Sequence, residues 1–422
     1  MKRVLSLALS VLMVLSLLAG CGGQQDSTDD AAPSETGETR DDLVIALATE
    51  PTQLDPHYLS DTNSSLVVLN THDPLFRRLP SGEIEPALAE DYELSEDGTS
   101  ITLYIRQGVK FQDGTELTAE DVAFSLNRAT ATAQSEAYTE SFKEAVVVDN
   151  YTVRLDLLYP DVAVLPLLTQ GNNCIVPKHV VEEVGETEYA GNICGTGPYK
   201  FVSSVSGSNV VLTRNDEYWG EAPAIKDVTM TYIADESTAV SRMETGEADF
   251  MPNISVEQLS RVESNASLTA ATSEAAALYY VGMRASSSAN PIMAEKDFRI
   301  AIAKGIDKEG YVEYMMQGYA ETAYSVLGPK IFGYDPSAEE HNIAYDPEGA
   351  KAILDEHPGW ADEKITFLVP STPAYSKMGE YFQASLKDAG FNNVQIETLD
   401  WTAWLTESQV DNRFDITVYG WS

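Results

Sequence analysis

Residues 100–111 read SITLYIRQGVKF. Ile101, Leu103 and Ile105 alternate with Thr102, Tyr104 and Arg106, which predicts a strand with one buried face. Asp97-Gly98 before it and Asp113-Gly114 after it supply turns. The period then changes. LTAEDVAFSLNRA (117–129) predicts a helix with Thr118 as N-cap and Asp121 answering it as in a capping box. VVDNYTVRLDL (147–157) predicts a hairpin turning at Asp149-Asn150, with Val153, Leu155 and Leu157 inward. Further on, YDPEGAKAILDEH (345–357) predicts a helix capped by Asp346 with Pro347 at its first position. KITFLVP, MGEYFQASLKDAG and VQIETLD then predict strand, helix (ended by Gly390) and strand. That order implies a parallel α/β sheet.

Both ends depart from this pattern. Lys2 and Arg3 precede an apolar run over residues 4–18, too short for a membrane span but suited to a secretory signal peptide. The run closes on Leu18-Ala19-Gly20-Cys21, which resembles a bacterial lipobox. Residues 1–20 are therefore expected to be a lipoprotein signal, with Cys21 lipidated. Residues 21–40 are polar and acidic and are expected to form a disordered tether. The far end, FDITVYGWS (414–422), is a strand of β-branched and aromatic residues that stops just after Gly420-Trp421. Residues 41–422 are too many for one core, so two or more domains are expected.

The formal charge of -39 disfavours nucleic acid and anionic lipid as partners. Of the three cysteines, Cys174 and Cys194 remain once Cys21 is assigned, in a chain read as exported. A disulfide between them is expected, the alternative being two buried thiols. Catalytic signatures are absent: no H-E-x-x-H, G-x-S-x-G, P-loop or C-x-x-C occurs. His57, His72, His179, His341 and His357 show no metal-ligand spacing, although His57 and His72 could meet in space. An enzyme is therefore not expected, nor a cofactor or metal.

Five stretches carry a resemblance. They are Leu54-Asp55-Pro56, residues 74–128 (PLFRRL to FSLNR), 195–250 (GTGPYKF to GEADF), 298–323 (FRIAIAKGIDKEG onward) and 401–421 (WTAWLTESQVDNRFDITVYGW). Together, in this order, the chain resembles the peptide/nickel class of ABC-transporter solute-binding proteins, the oligopeptide- and dipeptide-binding family. Most of these motifs read structurally. Gly195 and Gly197 suit a tight turn, and the aromatics of RNDEYWG suit packing.

The resemblance implies an α/β, two-lobed periplasmic-binding-protein-like fold (class II-like) with an extra inserted subdomain. Residues 41–75 and 192–278 would form the first lobe, 76–191 the subdomain and 279–422 the second lobe. It also implies that the C-terminal part of the second lobe is missing, since relatives continue past the Gly-Trp. By position it points to Ser60, Asp61, Thr62, Asn253, Tyr279, Trp401, Tyr419, Gly420 and Trp421 as ligand-binding residues. Some oligopeptide binders carry an Arg in the last strand where this chain has Val418, which leaves the anchoring of a peptide carboxylate open. The expected partners are a peptide or similar small solute and ABC permease subunits. The membrane would be met through the lipid anchor only, nucleic acid not at all, and the protein would be a monomer outside the cytoplasm. Alternatives are another cargo on the same fold (nickel chelate, haem or oligosaccharide), a sensor, or a surface-lipoprotein hydrolase.

Overall fold

The alternation of residues 100–105 becomes a strand whose odd members, Ile101, Leu103 and Ile105, are buried. It belongs to a computed structural model that describes residues 40–273, 277–285, 290–328, 331, 333–410 and 413–421. The chain divides into two compact units, Met1–Asp41 and Asp42–Ser422. The first falls almost wholly outside the described residues, and with it the signal segment, Cys21 and the tether.

In the second unit the strands run, in chain order, β1 (Asp42–Leu47), β2 (Phe76–Arg78), β3 (Ile84–Pro86), β4 (Ala89–Leu94), β5 (Ser100–Ile105), β6 (Phe142–Asp149), β7 (Thr152–Leu157), β8 (Tyr199–Val205), β9 (Asn209–Arg214), β10 (Asp227–Tyr232), β11 (Leu278–Met283), β12 (Ile365–Pro370), β13 (Val394–Leu399) and β14 (Ile416–Trp421). They form an N-terminal sheet in the order β1-β10-β9-β8, an intervening sheet β4-β5-β7-β6 with the ribbon β2-β3, and a C-terminal sheet β11-β14-β12-β13. The expected hairpin is β6-β7, with Val153, Leu155 and Leu157 buried.

Seven helices matter to the site: α1 (Thr62–Thr71), α2 (Ala119–Thr130), α3 (Glu236–Thr245), α4 (Val256–Glu263), α5 (Lys296–Gly305), α6 (Pro347–Glu356) and α7 (Pro373–Asp388). Thr118 and Asp121 make the capping box that starts α2. Asp346 caps α6, accepting from Gly349 N at 2.8 Å, with Pro347 behind it. Through α7, β12 crosses over to β13, and the two strands pair in parallel. α5 and α7 cover the apolar face of this sheet through Phe298, Ile302, Phe382 and Leu386.

One expectation changes and another is refined. Gly195 and Gly197 are not needed for turn freedom. A Cβ at either would collide with the backbone of Thr71 and with His72 at the end of α1, so glycine is required for close approach. The aromatics of RNDEYWG do pack, but around a charge: Tyr218 OH (3.1 Å) and Trp219 Nε1 (2.9 Å) donate to the buried Asp73 carboxylate. Thr196 and Arg77 donate to the same carboxylate. Burial raises the Asp73 pKa against these four donors.

Cys174 and Cys194 are free thiols, which corrects the expected disulfide. They pack in different places: Cys174 is enclosed by Leu59 and Val68, and Cys194 lies half-buried against the intervening sheet's core. Burial pushes the Cys194 thiol up to about 11 and the Cys174 thiol well above its usual value.

Candidate functional site

In the C-terminal sheet β12, β13 and β14 run the same way, and β11 runs against them. The carboxyl ends of three strands therefore share one rim with the amino end of β11. In open α/β sheets ligands bind outside that rim. Aromatic side chains crowd it here. Tyr375 lies in the first turn after β12, and Trp401 opens the short helix Trp401–Leu405 after β13. Gly420 sits near the end of β14, paired with Tyr279 of β11.

These residues touch in series. Ring centroids are 5.7 Å apart for Tyr279–Tyr375, 6.1 Å for Tyr375–Trp401, 4.9 Å for Trp401–Trp404, 5.2 Å for Trp404–Tyr419 and 5.4 Å for Tyr419–Tyr280. Tyr279 is 57% exposed and Trp401 45%, while Trp404 is 2% exposed. The wall thus has a wet face and a buried footing. Trp404 Nε1 donates to Thr417 Oγ1 (3.1 Å), whose hydroxyl donates to Leu368 O (2.7 Å). Tyr419 OH donates to Ser408 O (3.2 Å). Burial raises the Tyr375 pKa to about 12, so its hydroxyl stays protonated. A Cβ on Gly420 would lie 2.6 Å from Tyr375 Oη and 2.8 Å from the Tyr279 ring, so glycine lets both rings close over the strand.

Of the residues singled out from sequence, Tyr279, Trp401, Tyr419 and Gly420 meet in this wall. Trp421 pairs with Leu278 as the last described residue of β14. Tyr375 and Trp404 were missed, as was Tyr280. The i, i+3 spacing of Trp401 and Trp404 on one helix face was the signal for the second. Val418 does not line the wall: it lies on the face of β14 opposite Tyr419, two residues before Gly420 on the same side, and is fully buried in the core with Ile416 and Phe367. A ligand-binding Arg at that position would sit in an apolar interior.

The N-terminal sheet contributes from its own carboxyl rim. The loop after β1 carries Ser60 and Asp61 and leads into Thr62 at the start of α1, with Ser60 and Thr62 exposed. Phe250 bridges Ile45 in parallel, and the exposed Asn253 follows three residues later at the same end. Asp61 is committed to structure. It caps α1, accepting from Ser64 N (2.8 Å), Ser64 Oγ (2.5 Å) and Thr52 Oγ1 (2.6 Å). Burial pulls its pKa up, but these donors outweigh burial and hold it below the usual carboxylate range.

Beneath this loop lies a buried polar cluster. Arg128 of α2 forks onto Asp55, with Nη1–Oδ1 2.9 Å and Nη2–Oδ2 2.6 Å, and its Nη1 also reaches His57 Nδ1 at 2.7 Å. His57 Nε2 lies 3.1 Å from Cys174 O. A carbonyl only accepts, so Nε2 carries the proton and Nδ1 accepts from the guanidinium. Desolvation, reinforced by Arg128, lowers the His57 pKa to about 4. Desolvation lowers His72 likewise to about 4, and its Nε2 lies 3.0 Å from Tyr189 OH. Both histidines are thus structural. Among the described residues no group of three His, Cys, Asp or Glu side chains is placed to hold a metal, and no helix is long and apolar enough to cross a membrane.

Comparison with known proteins agrees with this architecture. The oligopeptide-binding protein AppA of Bacillus subtilis is 27% identical over 458 aligned positions, covering 100% of this chain and 81% of AppA. The glutathione-binding protein GsiB of Salmonella paratyphi A is 29% identical over 333, covering 78% of this chain but only 63% of GsiB. The solved structure of the A. tumefaciens R10 binding protein MoaA with mannopinic acid superposes with a TM-score of 0.77 at 26% identity, over 90% of this chain and 78% of MoaA. The profile of the bacterial extracellular solute-binding proteins, family 5 Middle, matches residues 83–422. With four-fifths of its length inside that match, the chain belongs to the family 5 extracellular solute-binding proteins.

Proposed function

We propose that this protein captures peptides outside the cytoplasm and delivers them to the permease of an ABC transporter, held at the membrane by a lipid on Cys21. Residues 41–75 with 192–278 and residues 279–422 act as two lobes that close on the ligand, with 76–191 as an inserted subdomain. The protein works as a monomer. One observation carries this reading: an exposed aromatic wall stands on the carboxyl rim of the C-terminal sheet, on the same kind of rim that bears Ser60 and Asn253 in the N-terminal sheet. Aromatics offer large contact area at small entropic cost and tolerate varied side chains. The resemblance to AppA and GsiB, named for oligopeptide and glutathione, favours peptide cargo.

The likeness to MoaA, solved with mannopinic acid, favours a second reading in which the cargo is a small opine-like solute. Mass spectrometry of ligand released from the purified protein separates the two, followed by titration calorimetry with a synthetic tetrapeptide library and with mannopinic acid. Peptide masses and calorimetric saturation by peptides support the first reading; saturation by the opine alone replaces it with the second. The anchor is tested by Cys21→Ser, which should move the protein from the membrane fraction to the soluble extracytoplasmic fraction.

A further inference from the structure

The loop between β1 and α1 is gripped from one side by residues lying between β2 and β8. Arg128 forks onto Asp55 and bonds His57. Ser135 Oγ donates to His57 O at 2.7 Å, and Asn172 Nδ2 donates to Leu59 O at 3.2 Å. His57 Nε2 donates to Cys174 O, and Leu59 is buried against Cys174. The Arg128 guanidinium also lies over the Tyr58 ring, 5.5 Å from its centroid. Every one of these grips falls on residues 55–59, directly before Ser60, Asp61 and Thr62. By contrast, the bonds made within the loop and α1 themselves, from Thr52 and Ser64, fall on Asp61.

We infer that the intervening body is the jig that positions the ligand-facing loop, and that Arg128 is its principal positioning residue. The side chain is 6% exposed, and Asp55 is 2% exposed. A buried fork of this kind contributes little net stability compared with an apolar pair, but it fixes one geometry, because Asp55 without it is a buried unpaired charge; Arg128 is held from its other side by Glu186, whose Oε2 accepts from Nε at 2.6 Å. A lysine would supply the charge but not the fork. Arg128 does not touch the ligand; it acts through Asp55 and His57 on where Ser60 and Thr62 stand. The inference rests on the reading that this loop faces ligand.

The test uses the whole chain carrying Arg128→Lys, Arg128→Met or the milder Asp55→Asn. Hydrogen exchange is read on the ligand-free protein, and binding of the synthetic tetrapeptide library is read at matched folded fraction. The amides of Tyr58 and Leu59, bonded to Asp55 O and Pro56 O, should exchange roughly tenfold faster, while β12 to β14 keep their protection. Peptide affinity should fall roughly tenfold or more, with Arg128→Lys retaining more of it than Arg128→Met. Unchanged loop protection overturns the inference, as does a loosened loop with unchanged affinity. Should the unaltered protein bind no peptide, the peptide reading has failed instead, and the exchange measurement alone decides whether Arg128 holds the loop. If Arg128→Met does not fold, Asp55→Asn gives the answer, since it keeps the side-chain shape and removes one charge.

Discussion

Lys377, near the start of α7, is ion-paired with Glu257, in the first turn of α4. The pair joins the helical layer of the C-terminal sheet to a helix that follows the N-terminal sheet. Lys377 stands two residues from Tyr375 of the aromatic wall, and Glu257 four residues from Asn253. A second tie runs from Tyr319 OH to Glu263 Oε1 at the other end of α4, at 3.0 Å. α4 is itself secured to α3, where Arg261 meets both oxygens of Glu244 at 2.9 and 2.5 Å.

The Glu257–Lys377 pair is half-exposed on both sides, so it contributes at most about 1 kcal/mol. Lys377→Met should shift the balance toward a more open form by up to roughly fivefold. Small-angle scattering of the ligand-free protein should show an increased radius of gyration, and high salt should produce the same change in the unaltered protein. An identical radius in both would show that the pair does not restrain opening.

The wall predicts a split between binding and stability. Trp401→Ala and Tyr279→Ala remove exposed rings and should weaken ligand binding by about 1–2 kcal/mol or more while leaving the melting temperature nearly unchanged. Trp404→Ala empties a buried site and should cost about 3–5 kcal/mol of stability. Gly420→Val should impair binding by pushing Tyr279 and Tyr375 apart. Calorimetric binding and denaturant unfolding on the four variants check this, and a destabilised Trp401→Ala would reassign that ring to packing.

His57 and His72 predict acid sensitivity. Each has a folded pKa of about 4, below its unfolded value of 6.5, so the folded state binds fewer protons between those limits. Their contribution is complete above pH 6.5 and is lost as pH falls toward 4 and below. At full protonation each shift corresponds to roughly 3 kcal/mol. Asp73, raised by burial, opposes this in acid. Urea unfolding from pH 7 to pH 4 should show a falling midpoint, and His72→Gln should flatten the slope. A midpoint independent of pH over that range would contradict the neutral, buried imidazoles.

The free thiols predict that labelling after denaturation without reductant finds both Cys174 and Cys194 reactive. In the native protein Cys174 should label far more slowly, because its thiol is fully buried and its pKa is raised. Failure to label either cysteine after denaturation would restore the disulfide.

Local elements were legible in the sequence because their causes lie within a few residues. The alternation of Ile101, Leu103 and Ile105 sets a buried face by pleat alone. The Thr118–Asp121 box and the Asp346-Pro347 start satisfy orphan helix donors from adjacent positions. Ordered motifs were also enough to place the chain in its family. What the sequence did not contain is which distant residues converge. Tyr375 meets Trp401 only because α7 carries β12 over to β13, and Tyr375 meets Gly420 and Tyr279 only because β14 inserts between β11 and β12. Arg128 and Asp55 are 73 positions apart and meet because α2 packs under the β1–α1 loop. Val418 and Tyr419 are neighbours of similar promise on paper, yet the pleat sends one into the core and the other to the wall. Gly195 and Gly197 read as turn residues until the backbone of Thr71 arrived against them. In each case local chemistry specifies an element and its faces, while the contact itself depends on the order of strands in a sheet, and that order is decided by packing across the whole fold.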